Sequence, residues 1–219
     1  MLTAYLISGQ AADEKLFENL QFPSYLNIKH VHWIEPLKKE SLAGYSRRLA
    51  EQVDTAGDFV LIGVSLGGIV SVEMNKILRP LGTIIISSIA TRQELRPVLK
   101  MINFLKLQTI VPGKLYNLYT PLLSWYFGAM NNREKELLKY YTRSTTPTYM
   151  KWAVNAILTW KNETRPANLF HIHGTSDRIF PHRRTKANVK VEGGTHLMVH
   201  NRPAEISRLL ADRLDTIRK

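Results

Sequence analysis

The segment Phe59-Val60-Leu61-Ile62-Gly63-Val64-Ser65-Leu66-Gly67-Gly68 decides the fold. Its first six residues make an almost unbroken apolar run of strand length, as expected of a strand covered on both faces. From Leu66 a stretch of helical length runs to Leu78, with Pro80 and Gly82 just beyond it as stop signals. Ser65 stands at the join, with Gly63 two positions before it and Gly67 two after. A sharp strand-to-helix turn presents a serine hydroxyl at the price of strained backbone, and it needs residues without bulk at those two flanking places. With 12 glycines and 12 serines in 219 residues, chance supplies Gly-x-Ser-x-Gly in roughly four of a hundred such chains. Placement between a strand and a helix makes coincidence rarer still.

Outward from this segment the chain keeps alternating. Ala4–Ser8, Ile28–Ile34 and Thr83–Ser88 are strand-length runs rich in Ile, Val and aromatics, while Ala12–Leu20 and Leu42–Val53 have helical spacing or length. The alternation predicts an α/β protein, with a doubly wound, mainly parallel sheet and helices on both faces. It lapses after Ser88 and resumes with strands predicted at Leu169–His173 and Asn188–Val191. A last helix follows over about 204–217, where Ile206, Leu209, Leu210, Leu214 and Ile217 share a face. If the six strands order as 2-1-3-4-5-6, the reversal lies between the first and third, and ligands bind outside the carboxyl ends there. Gln10 and Ser65 stand at those ends.

Residues 1–90 and 166–219 are thus expected to form the core, and 91–165 a helical cap insertion. The insertion's 75 residues hold 11 of the 20 aromatics but only two of the 12 glycines. Thr91 with Glu94, and Asn131 with Glu134, have capping-box spacing. Pro147 after Thr146 is an N1 proline opening a helix striped by Met150, Ala153, Val154, Ile157 and Leu158.

The chain carries 30 Lys+Arg against 18 Asp+Glu, a net +12, and +8 of it lies in the insertion. Such an excess raises nucleic acid, anionic membrane or acidic substrates as partners. No nucleic-acid recognition motif accompanies it, and the basic residues are spread singly or in short groups such as His182-Arg183-Arg184, so no nucleic-acid partner is expected. Absence of cysteine removes thiol catalysis, CxxC redox chemistry and thiolate metal sites. No signal-peptide pattern or bilayer-length apolar run is visible, and a cytoplasmic protein without a transmembrane segment is expected.

A serine nucleophile needs a base, and the base an orienting acid. Of seven histidines, His171, His173, His30 and His32 fall in predicted strands as core or supporting groups. His196 follows Gly193-Gly194-Thr195 after the last strand, at the sheet edge that carries Ser65, and suits a base. His200 is its rival, and a His196/His200 metal pair lacks a nearby carboxylate or cysteine, so no metal is expected. Asp177, four residues past the fifth strand, is the expected acid, with Glu94 the fallback. A tetrahedral intermediate needs two fixed donors, for which the N–H groups of Leu66 and Gln10 stand in the right loops.

In Gly63 to Gly67, the Gly9-Gln10 loop, Gly174 to Asp177 and Gly193 to His196, in the order Ser, Asp, His, the chain resembles the α/β-hydrolase superfamily. The resemblance covers nearly everything outside the insertion. It implies a Ser65-His196-Asp177 triad, a cap over the site and esterase-like acyl transfer to water without a cofactor. Three departures stand out: the first strand occupies the family's third-strand position, only about 14 residues separate the last two strands, and the oxyanion loop reads Ser8-Gly9 in place of the common His-Gly. A compact six-stranded member lacking the leading strands is therefore expected.

The expected reaction is cleavage of a small-molecule carboxylic ester or thioester through an acyl-enzyme on Ser65. Transfer to another acceptor or C–C hydrolysis would use the same residues, and a non-catalytic binding protein is possible on this fold. Tyr149, Trp152 and Trp160 recur at helical spacing; they either line an apolar pocket for an acyl or aryl group or pack the insertion onto the core. Oligomeric state is not readable from these patterns.

Overall fold

The computed structural model describes residues 1–218. Strands β1 (Leu2–Ile7), β2 (Leu26–Val31), β3 (Phe59–Val64), β4 (Gly82–Ile86), β5 (Leu169–Gly174) and β6 (Val189–Val191) form one sheet. Their order is β2-β1-β3-β4-β5-β6 and every neighbouring pair is parallel, as the alternation predicts. Ile7 pairs with Gly63 and Gly63 with Ile85, so the carboxyl ends of β1, β3 and β4 lie level.

Helices α1 (Leu42–Ala50) and α2 (Leu66–Leu78) precede the long stretch between β4 and β5, whose helices are α3 (Pro97–Phe104), α4 (Leu107–Ile110), α5 (Gly113–Tyr116), α6 (Pro121–Phe127), α7 (Asn132–Arg143) and α8 (Pro147–Thr159). Two helices close the described chain, α9 (Met198–Asn201) and α10 (Pro203–Arg218). Because strand side chains alternate in direction, the sheet builds two cores. Tyr5, Ile7, Leu61 and Ile85 meet α1, α2 and α8 on one face, while Ala4, Leu6, Val60, Ile62, Ile84 and Ile86 meet Ile206, Leu210 and Leu214 of α10 on the other. Every residue of β3 is buried, which explains its unbroken apolar run.

Two local expectations fail. The helix predicted over 12–20 is a single 3-10 turn, Glu14–Phe17. Asp13 caps it, and by Gln21 the backbone has turned aside to donate its N–H to Ser207 Oγ of α10 (2.9 Å). Leu16, Phe17 and Leu20 are buried all the same, so apolar spacing here records docking and not helix length. Thr91 and Glu94 make no capping box: Thr91 heads a 3-10 turn with no side-chain cap, and Glu94 accepts from Ala90 N–H (2.8 Å). Asn131 and Glu134 do form one, and Thr146 caps α8 with Pro147 at its first position.

Candidate active site

Ser65 sits between β3 and α2 with φ 53° and ψ −118°, a conformation that costs a non-glycine residue on the order of 1–3 kcal/mol. It is held there by its N–H, donated to Ile86 O (3.0 Å), and by its carbonyl, which accepts from Ser88 Oγ (2.6 Å). The flanking glycines are required by close backbone approach. A Cβ on Gly63 would collide with the Gly67 carbonyl, and one on Gly67 with the carbonyls of Ile7 and Ser8.

The structure brings the three separated candidates into one hydrogen-bonded line. His196 Nε2 lies 2.9 Å from Ser65 Oγ, and His196 Nδ1 lies 2.8 Å from Asp177 Oδ2. His196 and Asp177 are buried. A carboxylate can only accept, so Nδ1 carries a proton; in the neutral imidazole the Nε2 lone pair then faces Ser65 and the hydroxyl donates to it. The other carboxylate oxygen, Asp177 Oδ1, accepts from the N–H groups of Ile179 and Phe180, each at 2.9 Å. Burial alone would raise the Asp177 carboxyl, but the electrostatic attraction and hydrogen bond of His196, then the attraction of His173 and the hydrogen bond from the Phe180 N–H, outweigh it and hold the group below its ordinary value.

Behind Asp177 lies a second histidine pair. His173 Nε2 is 2.6 Å from Phe180 O and 3.6 Å from Asp177 Oδ2, and His173 Nδ1 is 3.1 Å from His171 Nε2. Since a carbonyl only accepts, His173 carries its proton on Nε2 and receives one from His171 Nε2–H. His171 Nδ1 is buried without a partner among the described residues. Burial, ahead of their mutual repulsion, pushes His171 well below the ordinary imidazole value; burial also lowers His173, against the opposing pull of Asp177. Both rings are neutral supports, and His173 braces the loop that presents Asp177.

The other sequence candidates fall elsewhere. Glu94 bonds to Ala90 and not to His196. His200 lies on α9 with Nδ1 buried and unpartnered among the described residues, and no group of three metal-binding side chains occurs among those residues. Leu66 is the first residue of α2, so its N–H has no carbonyl one turn earlier to bind. Gln10 follows Gly9, whose Cα approaches so closely that a Cβ there would lie 3.6 Å from Ser65 Cβ. The Gly9–Ala12 turn that holds Gln10 is closed by Ala12 N–H to Gly9 O (3.1 Å) and braced by Ser8 Oγ, which donates to Ala12 O (2.7 Å) and accepts from Trp33 Nε1 (2.9 Å). Ser8 in the place of the common histidine thus ties the turn to β1.

Trp152 and Trp160 are buried in the seam between α8 and the core. Trp152 Nε1 donates to Glu40 O (2.9 Å) with its ring 4.2 Å from Tyr45, and Trp160 Nε1 donates to Glu73 Oε1 (2.7 Å). Their hydrogen bonds belong to packing, the second of the two sequence readings. Tyr149 lies between, its ring 6.1 Å from Trp33 and 5.7 Å from Trp152. The rings against His196 are Phe127 and Phe180, which meet it edge-on at 5.2 and 5.7 Å. Phe127 ends α6, and Gly128 (φ +73°) follows it so close to Thr195 that a Cβ would strike the threonine side chain. Arg178 locks this junction, donating to Trp125 O (2.7 Å) and stacking on the Trp125 ring.

A profile of the alpha/beta hydrolase family matches residues 30–209. The chain belongs to that family. No curated protein matches the sequence, but solved structures share the fold. The family member described here is similar to a thermophilic esterase from Thermogutta terrifontis (15% identity, TM-score 0.67, covering 100% of this chain and 91% of that one). It is similar also to MenH from S. aureus (12%, 0.75, 100% and 95%) and to RedJ, a thioesterase of the prodiginine pathway in Streptomyces coelicolor (15%, 0.67, 99% and 85%). At these identities the likeness shows the fold alone.

Proposed function

We propose that this alpha/beta hydrolase cleaves a carboxylic ester or thioester through an acyl-enzyme on Ser65. The observation that carries the reading is the continuous line Ser65 Oγ, His196, Asp177 at 2.9 and 2.8 Å on a strained turn. Ser65 Oγ bonds to the substrate carbonyl carbon while its proton passes to His196 Nε2, and the C=O electron pair moves onto oxygen. The N–H groups of Leu66 and Gln10 hold that oxyanion. Collapse breaks the bond to the alcohol or thiol, which takes the proton from His196. Water then repeats the two steps and frees the acid. Asp177 keeps Nδ1 protonated and offsets the imidazolium charge.

The insertion acts as a cap: Phe127 and Gly128 lie on the His196 loop and help exclude water from it. Esterase and thioesterase appear among the structures this chain resembles, which supports ester and thioester as the groups to test. Purified protein is assayed on p-nitrophenyl esters of increasing chain length and on acyl thioesters. Ser65→Ala should lower kcat by about 10⁴ to 10⁶. A variant as active as the wild type removes Ser65 from the reaction.

A further inference from the structure

We propose that the insertion docks, through helices α3 to α6, on an anionic lipid surface. The starting point is an inverted pattern of burial. A surface helix normally turns its apolar stripe inward and its polar face to water. On α3 the outward positions Val98, Met101 and Phe104 are themselves apolar, with Phe104 82% exposed, and the helix has no buried residue. Ile110 on α4 is 76% exposed, and on α6 Leu122 and Trp125 are 63% and 53% exposed. Of the 16 large apolar side chains exposed among the described residues, 11 lie between Val98 and Met130. Monomeric proteins seldom leave so much apolar surface to water without a partner.

The inward side is already provided for. Helices α3, α4 and α5 rest on α8, with Leu99 and Tyr116 packed against the core. The outward side is what needs a cover, and its charge identifies the occupant. From Leu95 to Asn132 there are four cations, Arg96, Lys100, Lys106 and Lys114, and no Asp or Glu. Lys106 and Lys114 are exposed. Apolar residues among unopposed cations are the composition of an interfacial segment, whose side chains enter the headgroup boundary while the lysines meet anionic lipid. A second copy fits less well, because a two-fold contact sets each patch against its own image and opposes four cations to four cations. No helix among the described residues is long and apolar enough to cross a membrane, so the contact is peripheral. Trp125, stacked on Arg178 beside Asp177, places one end of this surface next to the candidate active site.

The test is co-flotation of the full chain with vesicles of phosphatidylcholine alone and of phosphatidylcholine with about one-third phosphatidylglycerol. Binding to the anionic vesicles alone, weakening as salt rises, is expected. The double variants Phe104→Glu/Ile110→Glu and Lys106→Glu/Lys114→Glu should each bind at least about ten-fold more weakly, with far-UV circular dichroism unchanged. Ser65→Ala should float like the wild type, so failure of the catalytic reading leaves this result standing. Absence of vesicle binding at low salt overturns the proposal, as does binding that neither double variant weakens. Sedimentation showing a dimer that Phe104→Glu/Ile110→Glu dissociates, without vesicle binding, would assign the surface to a second copy instead.

Discussion

Gly67→Ala isolates the demand that the turn at Ser65 places on its neighbours. The added methyl would collide with two backbone oxygens, the carbonyls of Ile7 and Ser8, and neither can rotate away as a side chain would. Relief requires the end of β1 and the start of α2 to separate by about 1 Å. Overpacking of this kind costs about 1–3 kcal/mol. For a chain of this size that lowers Tm by about 2–12 °C. The same movement shifts the Gly9-Gln10 turn relative to Ser65, and a displacement of about 1 Å at reacting groups costs on the order of 100-fold in rate. Gly44→Ala is the matched control, because its new methyl would lie 3.4 Å from Ser41 Oγ, in ordinary contact, inside α1. It should gain about 0.5–1 kcal/mol with kcat unchanged. Differential scanning calorimetry and ester kinetics on both variants give the comparison. A Gly67→Ala protein with the wild-type Tm and rate would refute the claim that β1, α2 and the Gln10 turn are coupled by this contact.

Asp177→Asn should lower kcat by about 10⁴ while leaving Tm nearly unchanged, because the amide can donate toward Nδ1 and select the wrong imidazole tautomer; steady-state kinetics at neutral pH check it. Stability should also fall in mild acid. Burial keeps His171 and His173 neutral in the folded chain, so as pH drops through the ordinary imidazole value of 6.5 the unfolded chain takes up protons that the folded chain refuses. Their contribution is complete above that value and shrinks below it, by about 1–2 kcal/mol between roughly pH 6.5 and 5.5. Urea unfolding across that range measures the loss, and His171→Gln should remove about half of it.

The parts of the molecule legible in its sequence are those fixed by short-range chemistry. The apolar run Phe59–Val64 and the glycines around Ser65 announce a central strand and a tight turn, and the β-α alternation brings the strand order with them. Ser65, His196 and Asp177 are nameable because each follows a strand, and the carboxyl ends of parallel strands converge on one edge. Phe127 escapes such reasoning, since nothing near it in the chain says that α6 will end against Thr195, 68 residues later. His173 reads as a core residue and is one, but its contact with Asp177 depends on how the β5 loop folds back. Trp152 and Trp160 show the converse: helical spacing reveals a buried stripe without saying whether substrate or core lies opposite. The exposed apolar helices of the insertion are hidden in the same way, because an inward and an outward stripe have the same periodicity.

Covalent labelling shows whether the Ser65 hydroxyl is the nucleophile. Wild-type protein is treated with a fluorophosphonate and digested, and the adduct is located by mass spectrometry. One adduct on Ser65 is predicted, absent from Ser65→Ala and slowed in His196→Ala by loss of the base that activates the hydroxyl. An unlabelled Ser65 in a folded protein, or an adduct on another residue together with ester hydrolysis that survives Ser65→Ala, would contradict the account.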